Sequence, residues 1–340
     1  MKSNFVEQFV QVVEQISEAV RCLKRETLAH ARIALLLLDN SVEILMHRFV
    51  TNEISHDDLW VSLRVSAQSS MPLNIAERFL KESGHVFISD KQRKAVTRWF
   101  IQKVDFLVER KHVDPIIGDI IKSLHRYRND ASHRDKIRKA TIHAAATIYL
   151  EIACDLLVSL PSSGTTYSSN DDWSGFFKTY GLNGPLLDEP QDTQKIAEQL
   201  RQEVGLDSDK LATLLSGHLI SRLDAIQSNL EFISGNAGSK ATPEENLLHV
   251  QFVIEHSSVP LAIAKKELER YTPKYPIGIL EEWRRSAAAI ASEEKRGKLE
   301  LLRQFCNVEE KMEPLEAMIE NEVVEIERAI QWEIDISLGK

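Results

Sequence analysis

The sequence predicts an all-α fold: an N-terminal helical bundle over residues 1–160, a linker over 161–191 and a second helical domain over 192–340. Two observations carry this. Helix breakers are scarce, with 13 Gly and 10 Pro in 340 residues, too few for a sheet protein full of turns. Apolar residues also recur at steps of three and four over long stretches, the spacing of one helix face. A chain 43% hydrophobic and 27% charged is a folded one, not a disordered one.

Phe5, Phe9, Val12, Val13, Ile16 and Val20 mark a first amphipathic helix. TLAHARIALLLLDNSVEILMHRF, residues 27–49, is apolar around much of its circumference and predicts a central core helix. Helices follow near 55–68, 74–84 and 89–110, punctuated by Pro72 and Pro115. A short helix is expected over 114–124. HRYRND comes next, and then a long helix reaching residue 160. Ile137, Thr141, Ala144, Ile148, Ile152 and Leu156 form its stripe, and Pro161 ends it. PSSGTTYSSNDDW opens the linker. In GNAGSKATPEEN, residues 235–246, a loop gives way to a helix capped by Thr242, with Pro243 at its first position and Glu245 completing the cap. Residues 279–336 are highly charged and helical, a hairpin or a partner-binding face.

Several function classes are excluded by what the chain lacks. Its longest apolar run, Ile33 to Leu38, is far shorter than the roughly 20 residues that cross a bilayer. Glu7 and Glu14 interrupt the N-terminal pattern, unlike a secretory signal. Cys22, Cys154 and Cys306 are odd in number and widely spaced, so they read as buried small hydrophobes and not as disulfides or metal ligands. A cytoplasmic location follows as the expectation. There is no H-E-x-x-H, no C-x-x-C and no nucleophile elbow. GNAGSK lacks the spacing of a phosphate loop, and Asp207 and Asp209 read as the start of a helix. No metal and no cofactor is implied.

Net charge is −9 but uneven: residues 1–160 carry +3 and residues 161–340 carry −12. Binding follows local charge and not the total, so the first half remains open to an anionic partner.

Chemistry concentrates in one place. Arg128, Asn129, Asp130, Ala131, Ser132 and His133 spell RNDASH. Two other Arg/His pairs share the five-residue spacing, Arg25 with His30 and Arg138 with His143. Only the middle pair has a polar residue after the Arg, a helix-start position and a following apolar stripe. RNDASH and the long apolar helix ARIALLLLDNSVEILMH resemble the HEPN superfamily over residues 1–160. Its signature is an Arg, four to six residues and a His, often with a polar residue after the Arg, at the start of the last long helix.

The resemblance implies a metal-independent endoribonuclease with a composite site built by two facing copies, a homodimer, of the toxin or antiviral-defence type. Arg128 and His133 are the expected catalytic pair, supported by Asn129 and Ser132. The residue types suit RNA. The 2′-OH is an internal nucleophile, His133 exchanges protons near neutral pH, and an Arg fork grips phosphate oxygens. Lys122, Arg126, Arg134, Lys136 and Arg138 surround the motif as candidate RNA-backbone contacts. On a continuous helix, Arg128 and His133 stand about 140° apart, so one helix does not aim both at one atom. His133 instead shares a face with Asn129 and Ile137.

One departure from the family is Asp135, where some HEPN toxins carry a modifiable Tyr two residues after the His. The plain alternative is a core histidine beside a surface cation. The domain is then a non-catalytic HEPN-like module that binds RNA or protein, or an unrelated helical interaction protein with its partner on the C-terminal half. Asp39, Asn40 and Glu43 interrupt the core helix. They face solvent or satisfy one another, unless they reach the Arg128 motif.

Overall fold

The computed structural model describes residues 5–25, 27–70, 84–133, 139–160, 172–182, 189–236, 242–255, 270–276, 278–292 and 297–338, with Pro72, Ile75, Arg78, Lys81 and Glu82 in addition. The described residues form helices and no strand, so the fold is all-α. The chain divides into two compact units, 1–207 and 208–340.

In the first unit α1 is Phe5–Leu23 and α2 is Leu28–Ser70. The expected α1 stripe is realised: Phe9, Val12, Val13, Ile16 and Val20 are all buried. The helices expected at 27–49 and 55–68 are one 43-residue helix, because no Gly or Pro interrupts the stretch. Its first half buries Ala34, Leu35, Leu38, Val42 and Met46, while Ile33 and Leu36 are exposed. The more completely enclosed helix is α6, Lys139–Ser159, on which Thr141, Ala144, Ile148, Ile152 and Leu156 are buried as expected and Ala145, Tyr149 and Ala153 join them. The 141–159 segment is apolar and long enough to cross a membrane by length and composition alone, yet 83% of it is buried inside the protein. That is how a core helix behaves.

The helix expected at 89–110 is two, α3 (Asp90–Arg98) and α4 (Phe100–Glu109). They meet at Trp99, whose backbone is extended at φ −109°, ψ 128°. Ser89 and Gln92 close a reciprocal capping box on α3. Asp57, fully buried on α2, accepts hydrogen bonds from His85 Nε2 at 2.7 Å, from the Ile88 N–H at 3.3 Å and from Arg93. Burial by itself raises its carboxyl pKa, but these three donors hold it below the ordinary range. This anchor ties the chain entering α3, and α3 itself through Arg93, to α2. The helix expected at 74–84 lies mostly outside the described residues.

α5 is Pro115–His133. Asp114 Oδ1 accepts the Ile116 N–H at 2.9 Å, with Pro115 at the first helical position. Gly118 lets α5 approach α4 closely: a Cβ there would sit 2.6 Å from Val108 Cγ2. Gly118→Ala gains about 1 kcal/mol of helix propensity against an overpacking cost of about 1–3 kcal/mol. A net loss of stability is expected, read as a lower denaturation midpoint; a higher one would refute the close approach.

The expected linker is not a bare one. Residues 161–171 and 183–188 lie outside the described residues, but α7, Ser174–Thr179, lies between them. Phe176, Phe177 and Tyr180 are buried, with Phe176 edge-on to Phe9 of α1 at 6.4 Å. α8, Glu189–Val204, packs against α6 and α1. Its Arg201 bridges Glu151 at 2.8 Å and Asp155 at 2.6 Å. The division therefore falls at Asp207 and not within 161–191. Buried apolar and ionic contacts bind α7 and α8 to the first bundle, and composition hides them.

In the second unit α9 (Ser208–Asn236), α10 (Pro243–Glu255), α11 (Ile279–Ser292) and α12 (Lys298–Ser337) pack around α9. Asp207 and Asp209 flank the start of α9, as a helix start requires. The expected capping box at α10 is present: the Thr242 N–H donates to Glu245 at 2.7 Å, and Thr242 Oγ1 accepts the Glu245 N–H at 3.3 Å.

Candidate active site around Arg128

The RNDASH motif does not start a long helix. It lies in α5, which is already helical from Pro115 and whose described extent reaches His133. Residues 134–138, with Arg134, Lys136 and Arg138, lie outside the described residues. Nothing is described of the side chains of Ser132 and His133 either. What the structure places is the Arg128 end of the motif.

Arg128 reaches inward. Its Nη2 lies 2.7 Å from Asp39 Oδ2 on α2, and its Nη1 donates to Asn129 Oδ1 at 2.7 Å. The Asp39 side chain is fully buried, while that of Arg128 is 28% exposed. Two more donors converge on the same carboxylate. His125 Nδ1 lies 2.8 Å from Asp39 Oδ1, and the Tyr149 hydroxyl of α6 donates to that oxygen at 2.8 Å. Burial and the Asp39 carboxylate push the Tyr149 phenol well above its usual range, so it stays protonated and donates. The His125 ring stacks on Phe100 of α4, with centroids 3.6 Å apart and planes 9° apart. Four helices thus fix one Arg through one buried carboxylate.

The spacing explains the geometry. His125 and Arg128 are three apart on α5 and share a face, so both meet a single acid on the facing helix. Of the three polar residues in the core helix, Asp39 reaches the motif, Asn40 is exposed, and Glu43 pairs with Lys103 at 2.9 Å. Sequence reasoning missed His125, Tyr149 and Phe100. The signals for the hub were a lone acid within ALLLLDN and a His three residues ahead of Arg128.

Among the candidate RNA contacts, Arg126 is exposed, whereas Lys122 sits 2.7 Å from Asp105 and 3.7 Å from Asp119. The latter are partly exposed pairs, worth little energetically, but they offset the Lys122 charge. Of the other Arg/His pairs, Arg25 Nη1 lies 3.0 Å from His30 Nε2 on the surface, where Thr27 also contacts the ring. Arg138 is outside the described residues. Among the described residues, no group of three His, Cys, Asp or Glu could hold a metal ion. Cys22 and Cys154 are buried and Cys306 is half-buried.

What this arrangement supplies is a fixed, partly exposed guanidinium. It stands beside an Asp-oriented imidazole on the same helix as a second His, His133. No family model matches the chain, and neither a curated protein nor a solved structure matches it.

Proposed function

We propose that the first unit is a metal-independent endoribonuclease, of the toxin or antiviral-defence type, acting in the cytoplasm as a homodimer. The observation that carries the reading is the Arg128 guanidinium. It is locked by the buried Asp39 carboxylate and by Asn129, yet remains 28% exposed, five residues before His133. A guanidinium held in this way presents a planar charged fork of the kind that suits phosphate oxygens.

A base removes the 2′-OH proton. The 2′ oxygen attacks phosphorus and displaces the 5′ oxygen, which takes a proton from an acid. The products are a 2′,3′-cyclic phosphate and a 5′-OH. His133 serves as the proton carrier, and Arg128 stabilises the phosphorane charge. The facing copy supplies the second motif. Arg126, and Lys122 when released from Asp105, hold the backbone together with Arg134, Lys136 and Arg138.

One observation favours the alternative of a non-catalytic RNA- or protein-binding module. Arg128 already has a carboxylate partner inside its own chain, which by itself accounts for an Arg at this position.

The deciding experiment is cleavage of a labelled RNA by the full chain in excess EDTA. His133→Ala is expected to reduce cleavage by about 10²–10⁴-fold, the usual contribution of a general acid–base group, with the fold intact. Arg128→Lys keeps the internal charge and loses the fork, and is expected to lose most activity too. Undiminished cleavage in His133→Ala, or a product without a cyclic phosphate, sinks the mechanism. Loss in His125→Ala with His133→Ala active would reassign proton transfer to His125.

A further inference from the structure

We infer that the final turns of α12 form a docking seam for a basic amphipathic helix of another protein, independently of any nuclease activity. The buried face of α12 runs through Phe305, Val308, Met312, Leu315, Ile319 and Val323, at steps of three and four. The pattern does not stop there. Ile326, Ile330 and Ile334 continue it, all within about 60° of Val323 around the helix. The burial does stop: past Val323 no residue of α12 is fully buried. Along the stripe Ile326 and Ile330 are half-buried and Ile334 is 44% exposed, so its cover thins towards the end of the helix. An apolar stripe that runs past the last buried residue of the helix is only partly covered, and apolar surface left open in this way marks an interaction site.

Charge selects the occupant. Glu333 lies along one edge of the stripe and Glu327 along the other, the flanking positions that choose partners in helix pairs. Residues 324–337 carry Glu325, Glu327, Glu333 and Asp335 against Arg328 alone, and Arg328 pairs with Glu325. A second copy of this seam would set carboxylates against carboxylates, and an anionic lipid surface would be repelled likewise. A helix with an apolar stripe flanked by Lys or Arg fits both features.

The test uses the full chain and two synthetic peptides, each about four heptads long with Leu and Ile at the a and d positions. One carries Lys at the flanking e and g positions and the other Glu. By fluorescence anisotropy the Lys peptide is expected to bind. Its affinity should fall with added salt and weaken by roughly tenfold or more in Ile330→Ser/Ile334→Ser, about 1.4 kcal/mol. Helicity by circular dichroism controls for folding of the double variant. Failure of the Lys peptide to bind, equal binding of both peptides, or indifference to the serine pair overturns the proposal. So does a dimer of the free chain that the serine pair dissociates, which would give the seam to a second copy.

Discussion

Asp39→Ala is expected to destabilise the first unit by about 3–5 kcal/mol, the range for breaking a buried ion pair by removing one partner. The carboxylate is fully buried; its Oδ1 meets His125 and Tyr149 and its Oδ2 pairs with Arg128, on two other helices. Its loss leaves the Tyr149 hydroxyl, itself wholly buried, without its acceptor, which costs about 1–3 kcal/mol on its own. Asp39→Asn keeps an acceptor oxygen for Tyr149 but loses the charge facing Arg128, so its effect is expected to be smaller. Hydrogen exchange in α2, α5 and α6 reads the difference: strong acceleration in the Ala variant and less in the Asn variant. Wild-type exchange in Asp39→Ala would mean that these helices do not depend on the shared carboxylate. The same hub makes Arg128→Ala a poor test of catalysis, because it removes the counter-ion of a buried carboxylate as well as the fork. Arg128→Lys keeps the two roles apart.

Arg222→Ala is expected to cost the second unit a similar ~3–5 kcal/mol. Arg222 on α9 donates to Glu309 and, through Nε at 3.1 Å, to both oxygens of Glu316 on α12. Side-chain exposure is 8% for Arg222, 7% for Glu309 and 18% for Glu316. Burial by itself works against the Arg222 charge, but the two carboxylates hold its pKa above the ordinary arginine value. Without the cation, two like charges face each other where water is scarce. Faster hydrogen exchange across α9 and the first half of α12 is the expected readout. The triple change Arg222→Met/Glu309→Leu/Glu316→Leu is expected to be neutral or stabilising, since well-packed apolar groups often replace a buried ion cluster without loss. A triple variant less stable than Arg222→Ala would show that the cluster contributes more than its desolvation costs.

The all-α class, α1, the α6 stripe and the Thr242–Glu245 cap were legible in the sequence, because each is set by interactions within a few residues: apolar periodicity, side-chain caps and the absence of breakers. The break at Trp99 was not legible. No Gly or Pro marks it, and it arises where α3 is tethered through Arg93 to Asp57 and Asp58, 36 and 35 residues away. The place of α7 and α8 in the first unit was hidden likewise, because Arg201 finds Glu151 and Asp155 at separations of 50 and 46 residues.

The sequence by itself determined that this chain is helical, since that follows from local spacing. Only the structure decided that Arg128 and His133 lie on one helix already running from Pro115, and that Arg128 turns inward to Asp39, 89 positions earlier, in company with His125 and Tyr149. The physical reason is burial. A carboxylate enclosed in an apolar core must find its donors wherever the packing of four helices brings them, and sequence spacing carries no record of that choice.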